Sequence, residues 1–304
     1  MSGHDDTVEW QLVNRVQETP NTYTYTFLMD KRTEIFPGQF VTIGTVLKRP
    51  TLSDGVEECF VERAYSIASS TTRGKVDLTI KSEKPYGHIN PKLKKADGFA
   101  AYFQEQIRIG DKVTIKISPK KDHFLAKIAV GNEKNIAYWS GANGAESARS
   151  LIQYMEDKPE IGLDLTLFYS NPHLYVSESD KTVNVIYYDW LIEKAKKMES
   201  FRVVFTFTRD NQVPTSDHPR IIHRSGRFFV DPDGNSERTL TKYFKNPKES
   251  FNPICGSSGF ITGVSMDAAG RLEKRRGIMQ ELMEVEGVTA DKIDKEQFYL
   301  DQSH

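Results

Sequence analysis

Sulfur is scarce in this chain: among its 304 residues only Cys59 and Cys255 are cysteines. Two thiolates cannot hold a four-cysteine iron–sulfur cluster, and they are too few for a disulfide framework. Any electrons handled here must therefore leave through another molecule. Long apolar runs are missing too, since no stretch approaches the roughly 20 residues needed to span a bilayer. Neither sign of charge dominates: 41 Lys and Arg face 42 Asp and Glu, a net charge of -1, so nothing draws the whole chain to nucleic acid or an anionic membrane. The start, Met1 to Asp6, has neither the basic and apolar regions of a secretory signal nor the acid-free character of a transit peptide, so a soluble, cytoplasmic protein is expected. No histidine pair has metal-ligand spacing and no Gly-x-Ser-x-Gly turn occurs, which leaves metal and acyl-transfer chemistry without support. Internal repeats and low-complexity segments are absent as well.

What remains is ordinary globular composition, 38% hydrophobic and 27% charged, over a length sufficient for two cores. The first part reads as β: Val8 to Val16, Tyr23 to Met29, Gln39 to Ile43, Val61 to Ala68, Val76 to Lys81 and Lys112 to Ser118. Six such strands predict a closed antiparallel β-barrel. The turn Ser69 to Gly74 predicts that the Arg63 and Lys81 strands are sheet neighbours, and Thr45 to Glu58 reads as a polar loop. After about Gly131 strands and helices alternate. Strands are expected at Ile136 to Ser140, Leu163 to Tyr169, Phe201 to Thr208 and Pro253 to Cys255, with helices at Ala145 to Met155 and near Tyr187 to Lys197 and Thr239 to Phe244. This predicts an α/β domain with an open parallel sheet, residues 131–304, after a barrel domain of residues 1–130. Ligands of such sheets bind at the strand carboxyl ends, where Gly141, Ser170, Thr208 and Gly256 fall.

The chemistry is most legible at Arg63-Ala64-Tyr65-Ser66. An arginine fork binds a pyrophosphate bidentately, a tyrosine two positions along a strand shares its face and can cover a flat heterocycle, and Ser66 adds a hydroxyl. Lys81 and then Gly87-His88-Ile89-Asn90 follow. Gly87 admits a phosphate close to the backbone, while Asn90 and Pro91 read as N-cap and first residue of a short helix through Lys95. Together these are the parts of a flavin seat.

This arrangement resembles the ferredoxin–NADP reductase superfamily, whose Arg-x-Tyr-Ser signature binds FAD. Phe36-Pro37-Gly38-Gln39-Phe40 is similar to the family's Pro-Gly-Gln-Phe segment, and Gly110-Asp111-Lys112-Val113 to its Gly-Asp-x-Val turn. The resemblance runs from about Trp10 to Phe298. Gly141-Ala142-Asn143-Gly144 resembles the nicotinamide-side Gly-x-x-Gly turn, with Asn143 where threonine and Ser147 where proline is usual. Cys255-Gly256-Ser257-Ser258-Gly259-Phe260 resembles Cys-Gly-Pro-x-x-Met, departing at Ser257 and Phe260, and implies that Cys255 borders the hydride-transfer position. Glu296-Gln297-Phe298 resembles the terminal Glu-x-aromatic, in which an aromatic ring covers the flavin; here either Phe298 or Tyr299 could do so. Thr208-Arg209-Asp210-Asn211-Gln212 resembles the segment that holds the 2′-phosphate of NADPH, with Arg220, Arg224 and Arg227 available for a second charge.

The resemblance implies an FAD-dependent oxidoreductase that takes hydride from NADPH, with NADH the other candidate, and passes single electrons to ferredoxin or flavodoxin. Ser66, Cys255 and Glu296 would be catalytic. Arg63, Ala64, Tyr65, Ser66, Lys81, Gly87, His88, Ile89, Asn90 and Phe298 would hold the flavin, and Gly141, Asn143, Gly144, Thr208, Arg209 and Gly256 the nucleotide. The lysines Lys81, Lys84, Lys92, Lys94 and Lys95, against the single Glu83, form a candidate docking face for an acidic partner. A diaphorase or flavin reductase without a protein partner is the nearest alternative, and a non-catalytic flavin-bearing electron-transfer subunit the other.

Overall fold

In a computed structural model of the chain, residues 7–29, 36, 38–50, 56–70, 74–82, 89–90, 95–96, 99–118, 134–177, 179–228, 244, 246–266, 272–274 and 276–298 are described; for 47–50, 56–57, 59, 89–90, 95–96, 265–266, 272–274 and 296–298 only the backbone is. The chain divides into two compact units, one formed by the barrel with Arg149–Tyr154 and the other by the parallel sheet and its remaining helices.

Period-two patterning builds the first unit. Strands β1 (Thr7–Thr19), β2 (Thr22–Leu28), β3 (Phe40–Pro50), β4 (Val56–Ser66) and β5 (Lys75–Lys81) precede a two-residue pairing of β6 (Ile89–Asn90) with β7 (Lys95–Ala96), helix α1 (Phe99–Gln106) and β8 (Lys112–Ile117). In β2, Thr-Tyr-Thr-Tyr-Thr-Phe-Leu is an almost unbroken run of β-branched and aromatic residues, and Tyr25 and Phe27 are fully buried. The main sheet has the order β4-β3-β8-β1-β2-β5. The bridge Ile67↔Leu78 and the bond from Ala68 N–H to Asp77 O (2.8 Å) join its two edges, closing the six-stranded antiparallel barrel. Trp10, Leu12, Val41, Ile43, Leu78, Ile80 and Ile115 fill the interior, and α1 adds Phe99 and Phe103, the latter edge-on to Tyr25 with centroids 5.5 Å apart.

Three expectations are refined or corrected here. The Arg63 and Lys81 strands are neighbours at the barrel's closing seam but share no regular ladder: β4 pairs with β3 and β5 with β2, and the seam is made by the Ile67↔Leu78 bridge and the bond from Ala68 N–H to Asp77 O. Most of Thr45 to Glu58 is not a loop, because β3 and β4 pair in register from Thr45↔Val61 to Pro50↔Val56. Asn90 and Lys95, the two ends of the expected helix, instead pair with each other across an antiparallel ladder. Residues 91–94 lie outside the described residues.

The second unit is a six-stranded parallel sheet. Its elements are β9 (Asn135–Gly141), the two ends of α2 (Ala145–Asp157), β10 (Asp164–Asn171), α3 (Tyr188–Lys197), β11 (Phe201–Phe207), β12 (Ile221–Ser225), β13 (Asn252–Ser257), a small pairing of β14 (Val264–Met266) with β15 (Leu272–Lys274), and β16 (Ile293–Phe298). The strand order is β12-β11-β10-β9-β13-β16. Successive strands run from β9 toward β12 on one side, and the chain returns to the other side for β13 and β16. The topology therefore switches between β9 and β13, the place where such sheets open a ligand crevice. The helices bury residues at helical spacing, Ala148, Leu151 and Ile152 from α2, Leu191 and Ala195 from α3. One face of the sheet is aromatic: Trp139 and Phe168 stack at 4.0 Å, and Phe228 stands edge-on to both. β12 and β16 were not expected from the sequence. Of the helix expected at Thr239 to Phe244, only Phe244 is among the described residues, and it lies outside any helix.

Candidate functional site

In the barrel unit, register fixes which side chains of the Arg63 motif share a face. Arg63 lies opposite Ile43 and Tyr65 opposite Val41, so the two occupy one face of β4, both half-buried. The Arg63 guanidinium donates to Glu62 O at 3.0 Å, and the Tyr65 ring stacks on Phe99 at 5.9 Å. Ala64 is exposed on the other face, whereas Ser66 is 2% exposed and pairs with Phe40. The Phe36–Phe40 segment turns out to be scaffold. Gln39 is 1% exposed, its Nε2 donates to Ser118 O at 2.7 Å, and its Oε1 accepts the Phe36 N–H at 2.6 Å. Gly38 has φ 86°, a left-handed conformation that glycine takes without strain. Lys81 ends β5, half-buried, while Ile89 and Asn90 form β6. Gly87 and His88 lie outside the described residues.

In the sheet unit, the carboxyl ends of β9, β13 and β16 bring the nicotinamide-side candidates together. Cys255 sits in register between Ser140 of β9 and Glu296 of β16, and Gly256 lies beside Gln297. Cys255 is 1% exposed. Of Glu296 and Phe298, only the backbone is described. Gly141 ends β9, and Ala142–Gly144 form a single 3₁₀ turn, with Asn143 half-buried, that leads into α2. Gly144 packs so closely on β13 that a Cβ there would collide with the Cys255 carbonyl. A Cβ at Gly141 or Gly256 would meet the Phe260 ring, at 2.9 and 2.8 Å. The two glycines thus make a notch at the switch point, and Phe260 lies in it. Ser257, where the resembling family has proline, caps the short helix Ser258–Ile261 by accepting the Phe260 N–H at 3.4 Å. Glu146, 3% exposed in the first turn of α2, already complements that helix's N-terminal dipole.

No family model matches the chain, and no curated relative does. Solved structures do. The FAD/NAD-binding domain of nitric oxide dioxygenase from Vibrio cholerae matches with a TM-score of 0.60 at 12% identity, over 95% of this chain and 98% of that one. A ferredoxin–NADP⁺ reductase from Neisseria gonorrhoeae with bound FAD and NADP gives 0.59 at 15% identity, over 97% and 100%. The cytochrome b5 reductase domain of Ulva prolifera nitrate reductase gives 0.56 at 19% identity, over 84% and 88%. The fold is that of ferredoxin–NADP reductase-like domains.

Further along the parallel sheet, the segments after β10 and β11 run side by side. Thr208 N–H donates to Asn171 O at 2.9 Å and Arg209 N–H to Pro172 O at 3.0 Å. The Asp210 carboxylate joins the two, one oxygen 2.7 Å from His173 Nδ1 and the other accepting the Leu174 N–H at 2.8 Å. Thr208 is half-buried and Arg209 exposed. Two of the arginines expected to add charge here are committed elsewhere. Arg220 donates to Ala195 O and Lys196 O at the carboxyl end of α3, satisfying carbonyls the helix leaves open. Arg224 is 9% exposed and donates to Phe228 O at 2.8 Å. Sequence reasoning also missed Asp210 and His173 as a pair; the signal was a polar residue just past the end of each of two buried neighbouring strands.

A second polar pair lies on the outer strands. The Tyr188 hydroxyl is 2.8 Å from His223 Nε2, and the imidazole stacks on Phe205 at 5.2 Å and Phe207 at 6.3 Å. Burial pushes the Tyr188 phenol up to about 12 and pushes the His223 imidazole below its usual range. Among the described residues, no group of three or more His, Cys, Asp or Glu could hold a metal ion, and no helix is long and apolar enough to cross a membrane.

Proposed function

We propose that the chain is an FAD-dependent NAD(P)H oxidoreductase of the cytoplasm, with residues 1–130 as the flavin half and 131–304 as the nicotinamide half. The observation that carries this is the register placing Cys255 and Gly256 between Ser140-Gly141 and Glu296-Gln297 at the switch point of a parallel sheet, joined in one chain to a barrel bearing Arg63-x-Tyr65-Ser66. Neighbours of this fold with bound FAD and NADP, or in an NAD⁺ form, support the same pair of cofactors.

Bound flavin would accept hydride from a reduced nicotinamide and release electrons singly. The chain's share is positioning. Arg63 would hold the pyrophosphate, with Lys81 and the Gly87 to Asn90 segment nearby. Tyr65 would cover one ring face and Phe298 or Tyr299 the other, and Ser66 would donate a hydrogen bond to the ring. Gly141, Asn143, Gly144 and Gly256 would line the nicotinamide, with Cys255 and Glu296 at its reacting edge. Thr208 and Arg209 would take the adenosine end, Arg209 favouring NADPH. Ferredoxin or flavodoxin is proposed as acceptor.

Phe260 filling the notch favours a second reading, a flavin-bearing electron-transfer subunit that does not use nicotinamide. Anaerobic mixing separates the two. Bleaching of the yellow flavin by NADPH or NADH within milliseconds to seconds is expected, and no bleaching with either would support the subunit. Denatured protein should release FAD rather than FMN. Arg63→Ala should weaken flavin affinity roughly ten- to a hundredfold, the loss of a charge-assisted contact of about 1.5–3 kcal/mol. Release of FMN alone, or unchanged FAD retention in that variant, would remove Arg63 from the site.

A further inference from the structure

The barrel's closing seam has little backbone pairing. Between the edges of β4 and β5 the described residues make one bridge, Ile67↔Leu78, and one further bond, Ala68 N–H to Asp77 O at 2.8 Å. Side chains supply the rest, and three of them come from the middle of α2, whose residues Arg149–Tyr154 belong to the compact unit of the barrel. Gln153 lies four residues after Arg149 and three after Ser150, so the three share one side of the helix. One guanidinium nitrogen of Arg149, Nη1, donates to Ala68 O at 2.6 Å and to the Asp77 carboxylate at 2.8 Å. Ser150 Oγ donates to Ser69 O at 3.1 Å, and Gln153 Oε1 accepts the Ser70 N–H at 2.8 Å. Asp77 is the hub of the seam: its other oxygen accepts the Thr26 hydroxyl at 2.8 Å, and its N–H donates to Ser69 Oγ at 2.9 Å. The Arg149 and Asp77 side chains are only 13% and 15% exposed, so solvent and salt screen this ion pair little.

The segment so held, Ile67 to Ser70, is buried and directly follows Ser66. Ile67 N–H donates to Gln39 O at 3.0 Å, so each of the four residues has a tied backbone group. A seam of this kind could be closed by apolar residues, which often stabilise as much as a buried ion pair does, so stability alone gives little reason for Arg149 and Asp77. What charge-assisted bonds add is direction. We propose that Arg149 is a positioning residue for the flavin: through Asp77 and the Ala68 carbonyl it fixes the strand end that aims the Ser66 hydroxyl at the ring, so that a helix outside the barrel's own strands tunes hydride transfer. The proposal rests on the flavin reading above and deepens it, since α2 then completes the flavin half.

The test uses the full-length, flavin-loaded chain and two readouts: the rate of flavin reduction at saturating NADPH or NADH, and the flavin midpoint potential, titrated with dithionite and no nucleotide. Ser66→Ala gives the reference. Arg149→Met, which keeps an unbranched side chain and removes the charge and both bonds, is expected to slow reduction about tenfold with KM unchanged and to move the potential in the same direction as Ser66→Ala. Arg149→Lys, which keeps a charged donor near Asp77, should recover part of the rate. Because both substitutions act through one hydroxyl, the Ser66→Ala, Arg149→Met double variant should be no more than about twofold slower than the slower single, whereas independent effects would multiply. If Arg149→Met does not fold, Asp77→Asn, of equal size and with its backbone bonds to Ala68 and Ser69 kept, should show the same non-additivity with a smaller loss. Wild-type rate and potential in the folded variant, or losses that multiply with that of Ser66→Ala, overturn the positioning role. So does a Ser66→Ala variant that behaves as the wild type, with rapid bleaching leaving the oxidoreductase reading standing. Absence of bleaching with either nucleotide would instead overturn that reading, while the dithionite potentials still decide the role of Arg149.

Discussion

His223 and Tyr188 are each shifted by burial in a direction that fixes how stability depends on pH. With the tyrosine hydroxyl donating to Nε2, the proton on Nδ1 sits inside the unit, and Nδ1 has no partner among the described residues. The imidazole is therefore held neutral, its pKa below the usual 6.5 because a buried charge lacks solvation. As pH falls through 6.5 the unfolded chain takes up a proton that the folded chain resists. The unfolded state then binds more protons, and stability falls with pH until the folded imidazole also titrates. Tyr188 works at the other end: its phenol is pushed up to about 12, so between 10.0 and about 12 the unfolded chain loses a proton first and stability falls as pH rises. Thermal unfolding followed by circular dichroism should show Tm dropping between about pH 7 and 5.5 in the wild type and dropping less steeply in His223→Phe, which keeps a ring against Phe205 and cannot charge. Parallel slopes in the two proteins would mean that His223 contributes nothing to the acid limb.

Elements show which features the sequence could carry. Strand β2 was legible because every residue of Thr22–Phe27 favours a pleated surface, and β9, β10 and β11 because their apolar runs are bounded by turns. The long pairing of β3 with β4 was not, since Lys48 and Arg49 are polar and Pro50, Asp54 and Gly55 are turn formers by composition, while the ladder to Pro50↔Val56 depends on backbone pairing. β16 was hidden for a related reason. Ile-Asp-Lys-Glu-Gln-Phe lacks an apolar alternation, and its strand character comes from lying beside β13 at the sheet edge. Candidates on contiguous motifs were readable, whereas the roles of Asp210, Arg220 and Gln39 rest on partners far away in sequence. The Gly141–Gly144 turn was readable as a turn, but not the reason for its last glycine, which is contact with the Cys255 carbonyl. Gly144→Ala should therefore overpack the junction of β9, α2 and β13 and cost about 1–3 kcal/mol in urea unfolding, because the obstacle is backbone rather than a movable side chain. Gly162 makes the control: it has φ +67° with open space around it, so Gly162→Asn, a residue that tolerates this conformation, should cost less. A Gly144→Ala midpoint equal to that of the wild type would show that β13 can move away, and the close approach would lose its significance.

At the scale of the whole molecule, 41 basic and 42 acidic residues leave almost no net field, so any electrostatic attraction of an acidic acceptor must come from a local patch. The candidate is the lysine-rich stretch from Lys81 to Lys95. Lys81 is half-buried at the end of β5 and Lys95 lies in β7, while Lys84, Lys92 and Lys94 fall outside the described residues. On the proposed reading this stretch neighbours the flavin pyrophosphate, so a partner docked there would be close to the electrons it receives. Raising ionic strength from about 0.01 M to about 1 M contracts the screening length from about 30 Å to about 3 Å, which removes steering between exposed charges and leaves the buried redox chemistry nearly untouched. Steered association exceeds unsteered by about ten- to a thousandfold. The second-order rate of reduction of an acidic ferredoxin should therefore fall at least about tenfold over that range, while reduction of a small neutral quinone stays nearly flat. Reversing charge with Lys84→Glu and Lys92→Glu should slow the ferredoxin reaction at low salt and leave the quinone reaction alone. Ferredoxin reduction that ignores both salt and the two reversals, with the quinone still reduced at full rate, would leave the protein a diaphorase with no acidic protein partner on this face.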